Sequence, residues 1–187
     1  MNQLAQALGD FARIFDALSV PYAIMGGLAV RVHGIPRPTH DVDITVAVER
    51  ERLPEVYDAV RAAGYTVPEA YQSGWVDNLA GMPLVKFRLH LADGRGVDVD
   101  IFLAESEFQQ QMLSRRQPIE TPGLKSWIVS AEDLVLLKLL ANRPRDIADI
   151  GDVLFTQGQL DESYLRHWAR ELGVLDRLES VLANPPL

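Results

Sequence analysis

The stretch YAIMGGLAVRVHGIPRPTHDVDITV, Tyr22 to Val46, decides the reading of this chain. A short apolar run is followed directly by two glycines, and about a dozen residues on, two aspartates alternate with valine and isoleucine. Neither feature is needed to build a core. On a strand, successive side chains point to opposite faces, so Asp41 and Asp43 share one face while Val42 and Ile44 fill the other. Two carboxylates side by side repel, and burying them is costly unless a divalent cation lies between them. The glycine pair between a strand and a helix lets backbone approach a ligand closely and offers the free amides of a helix N-terminus, which attract phosphate.

The residues around this stretch predict an α/β (α+β) unit: a small mixed β-sheet flanked by helices, then a helical C-terminal region. Leu4, Leu8, Phe11, Ile14, Phe15 and Leu18 recur at helical spacing, predicting an amphipathic helix over about 3–18. VPYAIM reads as a strand, LAVRVHG as a helix ending near Gly34, IPRPTH as a loop and DVDITVAV as a strand. ERLPEVYDAVRAAG reads as a helix starting near Pro54 and ending at Gly64. Residues 66–83 are the least patterned and read as a loop with a short strand. LVKFRLHLADGRGVDVDIFLA alternates on both sides of a DGRG turn, a hairpin whose second arm carries Asp98 and Asp100. Beyond it come a helix capped by Ser106, short strands or loop over IETPGLKSWIVS, and a helix capped by Ser130. A helix with Pro144 near its first position and two more, from Glu162 to Leu172 and from Leu175 to Leu182, finish the chain. The change of character near residue 130 divides it into an α/β core, 1–129, and a helical region, 130–187.

Composition narrows the chemistry. With 187 residues, 48% of them hydrophobic, the chain suits one compact unit or a main domain with a small appendage. No apolar run is long enough for a membrane span, and the first helix carries Asp10, Arg13 and Asp16, so the chain reads as cytoplasmic with no membrane partner. The absence of cysteine removes disulfides, thiolate nucleophiles and cysteine zinc sites. Its four histidines, His33, His40, His90 and His167, lack the i,i+4 spacing of a helical zinc site, and His33 and His40 read as a helix-end and a loop residue. A net charge of −8 argues against a general nucleic-acid binder. Oxygen-only ligands favour magnesium or manganese, and one acid of the Asp98/Asp100 pair would complete a three-carboxylate site of the phosphoryl-transfer kind. A nucleoside triphosphate chelating magnesium satisfies glycines and acids together.

These residues resemble the nucleotidyltransferase superfamily related to DNA polymerase beta. The resemblance rests on Gly26 and Gly27, on Asp41 and Asp43 after thirteen intervening residues, and on a later strand acid. GGLAVRVHGIPRPTHDVDI is similar to the minimal bacterial group that includes AbiEii-like toxins, whose EDLVLLKLLA-like helix and RPRDIADI-like segment are matched here by Lys138 and by Arg145, Asp146 and Asp149. The resemblance covers about residues 20–150. It implies two magnesium ions, with Asp41, Asp43 and Asp100 as ligands and catalytic acids. Asp100 is preferred to Asp98 because DIFLAESEFQ looks like the family strand leading into its next helix. It also implies transfer of a nucleoside monophosphate from a triphosphate to a hydroxyl on tRNA, protein or a small molecule, with an antitoxin protein as partner if the chain is a toxin. An aminoglycoside-type adenylyltransferase and a catalytically idle nucleotide- or metal-binding module are the alternatives. Gly26, Gly27, Arg37, Lys138 and Asp146 are the candidate nucleotide-binding residues. Lys138 starts from an apolar helical face and needs an anionic partner, either the triphosphate or Asp146. Arg115 and Arg116 read as a solvated helix end or an RNA contact.

Overall fold

The computed structural model describes residues 3–90, 96–121 and 124–185. The first half runs α1 (Gln3–Ala17), β1 (Tyr22–Met25), α2 (Gly26–His33), β2 (Asp41–Val46), α3 (Leu53–Ala62), β3 (Tyr65–Thr66), α4 (Glu69–Gln72), β4 (Asp77–Leu79) and β5 (Met82–His90). The second runs β6 (Gly96–Leu103), α5 (Glu107–Ser114), β7 (Gln117–Thr121), β8 (Leu124–Ile128), α6 (Ala131–Ala141), α7 (Pro144–Gln157), α8 (Glu162–Glu171) and α9 (Leu175–Ala183). The strands form one mixed sheet in the order β3-β5-β6-β2-β1-β8-β7, with β4 added on β5. The β2–β6 and β1–β8 pairs are parallel and the others antiparallel.

Alternation along the strands sorts side chains to two cores. Val42, Ile44 and Val46 of β2, Val99 and Ile101 of β6, and Phe87 of β5 pack with Phe11 and Phe15 of α1 and Val56 and Val60 of α3. The other core joins Met25, Leu84 and Phe102 to Val30 of α2, Met112 of α5, Leu134 of α6, Ile150 of α7 and Leu178 of α9. That second core takes side chains from both sides of residue 130. Helix α6 is buried on nearly every side, as AEDLVLLKLLA implies, and its Lys138 is only 5% exposed. The caps follow the sequence: Ser106 Oγ accepts from the Gln109 amide in a capping box, and Ser130 Oγ from the Asp133 amide.

Two segments differ from expectation. The unpatterned stretch 66–83 contains a further hairpin, β4–β5, in which Leu79 faces Met82 across a two-residue turn. Ala80 (φ 52°) and Gly81 (φ 81°) are both left-handed, the arrangement that matches strand twist, and Asn78 Oδ1 accepts from the Gly81 amide at 3.1 Å. Alanine at the first turn position withholds the usual sequence signal. Arg115 and Arg116 are not a freely solvated helix end. The Arg115 guanidinium lies 3.8 Å from the Tyr164 ring centre and Arg116 lies 4.7 Å from that of Trp127. The pairing of β5 with β6 is the expected hairpin, although three residues of its DGRG turn, 93–95, lie outside the described residues.

Candidate active site

The acids stand where the helical cover of the sheet runs out. Along β2, Asp41 is exposed, Asp43 half-buried and Thr45 fully buried, all on one face. Along β6 the same gradient runs from exposed Asp98 through half-buried Asp100 to buried Phe102. The strands are parallel and in register, placing Asp41 beside Asp98 and Asp43 beside Asp100, with Met25 beside Asp43 on the other side. Asp98 pairs with Arg88 at 2.8 Å near solvent, whereas Lys86 Nζ donates to Asp100 Oδ2 at 3.3 Å.

The glycines abut these acids. Gly26 has φ 63° and opens α2, and a Cβ built on it would overlap the Asp43 carboxylate. A Cβ on Gly27 would lie 2.5 Å from Thr39 Oγ1, which itself donates to Asp41 Oδ1 at 2.8 Å. The N-cap residue of α2, Met25, makes no side-chain cap bond, and Gly26 and Gly27 at this helix N-terminus line the same cleft as the acids.

A cationic wall closes the other side. Buried Lys138 donates to Asp146 Oδ1 at 2.9 Å and lies 2.7 Å from Asp149 Oδ2. Arg37 grips Asp149 with Nε at 2.5 Å and Nη2 at 2.7 Å. Arg143 donates through Nε to Asp146 Oδ2 at 2.6 Å, and its own amide bonds the same oxygen at 3.2 Å. Arg145 Nη2 donates to the Pro38 carbonyl at 2.8 Å, fastening the proline-rich loop to the start of α7. Three cations share two carboxylates, leaving one positive charge over for the cleft. Asp146 and Asp149 are thus the anionic partners of Lys138, and Asp149 also that of Arg37.

Gly26, Gly27, Arg37, Asp41, Asp43, Lys138 and Asp146 line one cavity of about 230 Å³ together with Thr39, His40, Arg143 and Arg145. A second lobe of about 120 Å³ shares Gly26, Asp41, Asp43, Lys138, Arg143 and Asp146 with the first and adds Asp100. All eight predicted site residues therefore border this double cleft. Thr39 and Arg143 escaped the sequence reading. Thr39 lies two residues before Asp41 in the loop leading into β2, and Arg143 stands three before the Asp146 whose carboxylate accepts from its amide and guanidinium, which were the available signals.

Two of these acids are raised above the ordinary carboxylate range. Burial pushes the Asp43 carboxyl up to about 7, helped by the charges of Asp41 and Asp100, while Lys138 and Arg143 pull it back. Burial also raises Asp100, against the opposing pull of Lys86. Among the described residues no three acids or histidines already converge on one point. The donor set still fits a hard divalent cation: it is all oxygen, held in register on adjacent strands and short of positive charge at Asp43.

This is the nucleotidyltransferase fold. The chain belongs to the family described as nucleotidyltransferases of unknown function (DUF6036), whose profile matches residues 2–178. Among solved structures, an antigenic nucleotidyltransferase-like protein from Paracoccidioides brasiliensis is similar over 97% of this chain and 93% of its own, with 20% identity and a TM-score of 0.57. The crystal structure of ANT(2'')-Ia in complex with adenylyl-2''-tobramycin matches 91% of this chain and 98% of its own, with 18% identity and a TM-score of 0.58. The solution structure of the antibiotic-resistance factor ANT(2'')-Ia matches 98% and 95%, with 17% identity and a TM-score of 0.55. These likenesses are in fold. No protein with a curated description matches the sequence. No helix among the described residues is long and apolar enough to cross a membrane.

Proposed function

We propose that the chain transfers a nucleoside monophosphate from a triphosphate to a hydroxyl acceptor. The observation that carries this reading is the contact between Gly26 and Asp43: the glycine that frees a helix N-terminus for phosphate has no room for a Cβ because a cation-site acid fills the space. Anion and cation sites then share a wall, as a magnesium-chelated triphosphate requires. Asp41, Asp43 and Asp100 would hold one or two magnesium ions, which supply charge neutralisation of the phosphates and acidify the acceptor hydroxyl. The amides of α2 and the cationic side chains of Arg37, Lys138 and Arg143 hold the β- and γ-phosphates. Asp100 takes the acceptor proton.

The test is a melting-temperature series with magnesium and each of ATP, GTP, CTP and UTP, followed by transfer of label from α-labelled triphosphate to tRNA, total protein and small hydroxyl compounds. A magnesium-dependent shift with one or more triphosphates, and label on an acceptor, is the expected result. No shift with any triphosphate ends the reading.

A further inference from the structure

We infer that the acceptor presents its hydroxyl on an uncharged, apolar group, an aromatic or alkyl alcohol rather than a polycation. This rests on the nucleotidyl-transfer reading and follows from the two lobes of the cleft. Arg37 lines the first lobe only, and Asp100 the second only. In an in-line displacement the attacking and leaving oxygens lie on opposite sides of the phosphorus. With the leaving pyrophosphate held by Arg37 and the glycines, the attacking hydroxyl arrives from the lobe that Asp100 borders. The acceptor O–H attacks the α-phosphorus, the bond from that phosphorus to the bridging oxygen breaks, pyrophosphate departs, and the proton passes to the Asp100 carboxylate.

Beside the charged groups Asp41, Asp43, Asp100, Lys138, Arg143 and Asp146, that lobe has a continuous apolar part. Met82 and Phe102 form its sheet side, Leu134, Leu137 and Ala141 its α6 side, and Leu79 its rim. Among the described residues, no carboxylate in it is free for an ammonium group: Asp146 is taken by Lys138 and Arg143, Asp100 borders Lys86, and Asp41 and Asp43 belong to the cation site. A polycationic acceptor would lose hydration without gaining a partner, whereas an apolar one gains by burial. The rim is supplied by the β4–β5 turn, where Ala80 is held left-handed beside a half-exposed Leu79, and such conformations persist where surrounding structure enforces them.

The test compares label transfer from the triphosphate that gives the largest magnesium-dependent melting shift to three probes: N-acetyltyrosine amide, hexanol and tobramycin. The wild type is expected to favour one of the first two over tobramycin by about tenfold or more in kcat/KM. Leu79→Asp is expected to raise KM for the apolar probe about tenfold and to move the preference toward tobramycin. A wild-type preference for tobramycin overturns the inference while leaving nucleotidyl transfer intact. So does a Leu79→Asp variant that loses triphosphate-induced stabilisation, because the lobe would then hold the nucleobase. Absence of any magnesium–triphosphate shift in the wild type overturns both.

Discussion

Asp43 and Asp100 are register partners on adjacent parallel strands, so these two half-buried carboxylates stand side by side. Burial, with the charges of Asp41 and then Asp100 added to it, holds the Asp43 carboxyl at about 7, well above its ordinary 3.8. A carboxyl raised on folding binds more protons in the folded than in the unfolded state between those two values. Stability therefore falls as pH rises from about 4 to about 7, by at most about 1.4 kcal/mol per unit for this one group. Chemical denaturation without divalent cations, at intervals from pH 5 to 7.5, should show a declining slope that Asp43→Asn removes. An unchanged slope in the variant would place the carboxyl in an ordinary environment.

Gly26 provides a separate handle on the same acid. Alanine there meets a left-handed φ, costing about 1–2 kcal/mol, and also displaces the Asp43 carboxylate. Gly64, with φ 90° and nothing within 4 Å of an added methyl group, supplies the control. Both alanine variants should lose stability, and only Gly26→Ala should lose the response of the melting temperature to magnesium. Equal responses would mean that the glycine serves the turn alone.

Lys138 ties the cationic wall together. Burial pushes Asp146 and Asp149 up, but hydrogen bonds from Arg143 and Lys138 to the first, and from Arg37 and Lys138 to the second, leave both below the usual carboxylate range. Carboxyls depressed on folding stabilise above their unfolded value, and that contribution is lost as pH falls through the folded one. Lys138→Met leaves each aspartate with one arginine, so a loss of about 2–3 kcal/mol near neutral pH is expected, the low side of breaking a buried pair. Acid melts should show a shallower decline for the variant than for the parent. A variant as stable as the parent would mean that the two arginines suffice.

Much of this was legible from local pattern. The period of Leu4 to Leu18 produced α1, the serines before α5 and α6 marked their starts, and alternation put Asp41 with Asp43 and Asp98 with Asp100 on common faces. The sequence could not show that β2 and β6 would lie parallel in register, because that depends on a crossover and on packing between distant segments. The β4–β5 hairpin stayed hidden because Ala80 occupies a position where glycine or asparagine would announce the turn. Thr39 and Arg143 gain meaning only once the loop before β2 meets the start of α7, more than a hundred residues away. Lys86 sits opposite Asp100 through the β5–β6 register, which counting outward from the hairpin turn could have reached.

Replacing both Asp41 and Asp43 by asparagine separates a functional pair from a structural one. The change removes two like charges that repel in the absence of a cation, one of them held against burial. Asparagine keeps the size of each side chain, and its amide oxygen still accepts the bond from Thr39 Oγ1 to position 41. The doubly substituted protein should therefore be no less stable than the parent without magnesium, and more stable near pH 7, where the parent bears the cost of ionising Asp43. Magnesium-dependent stabilisation and nucleotidyl transfer should both vanish. Stability and activity would thus move in opposite directions, as expected where acids are kept for a cation at a cost to the fold. Calorimetry with and without magnesium, alongside label transfer, measures both. If the variant unfolds, the aspartates are structural members of the central strand β2; if it keeps magnesium-dependent transfer, the cation site lies elsewhere.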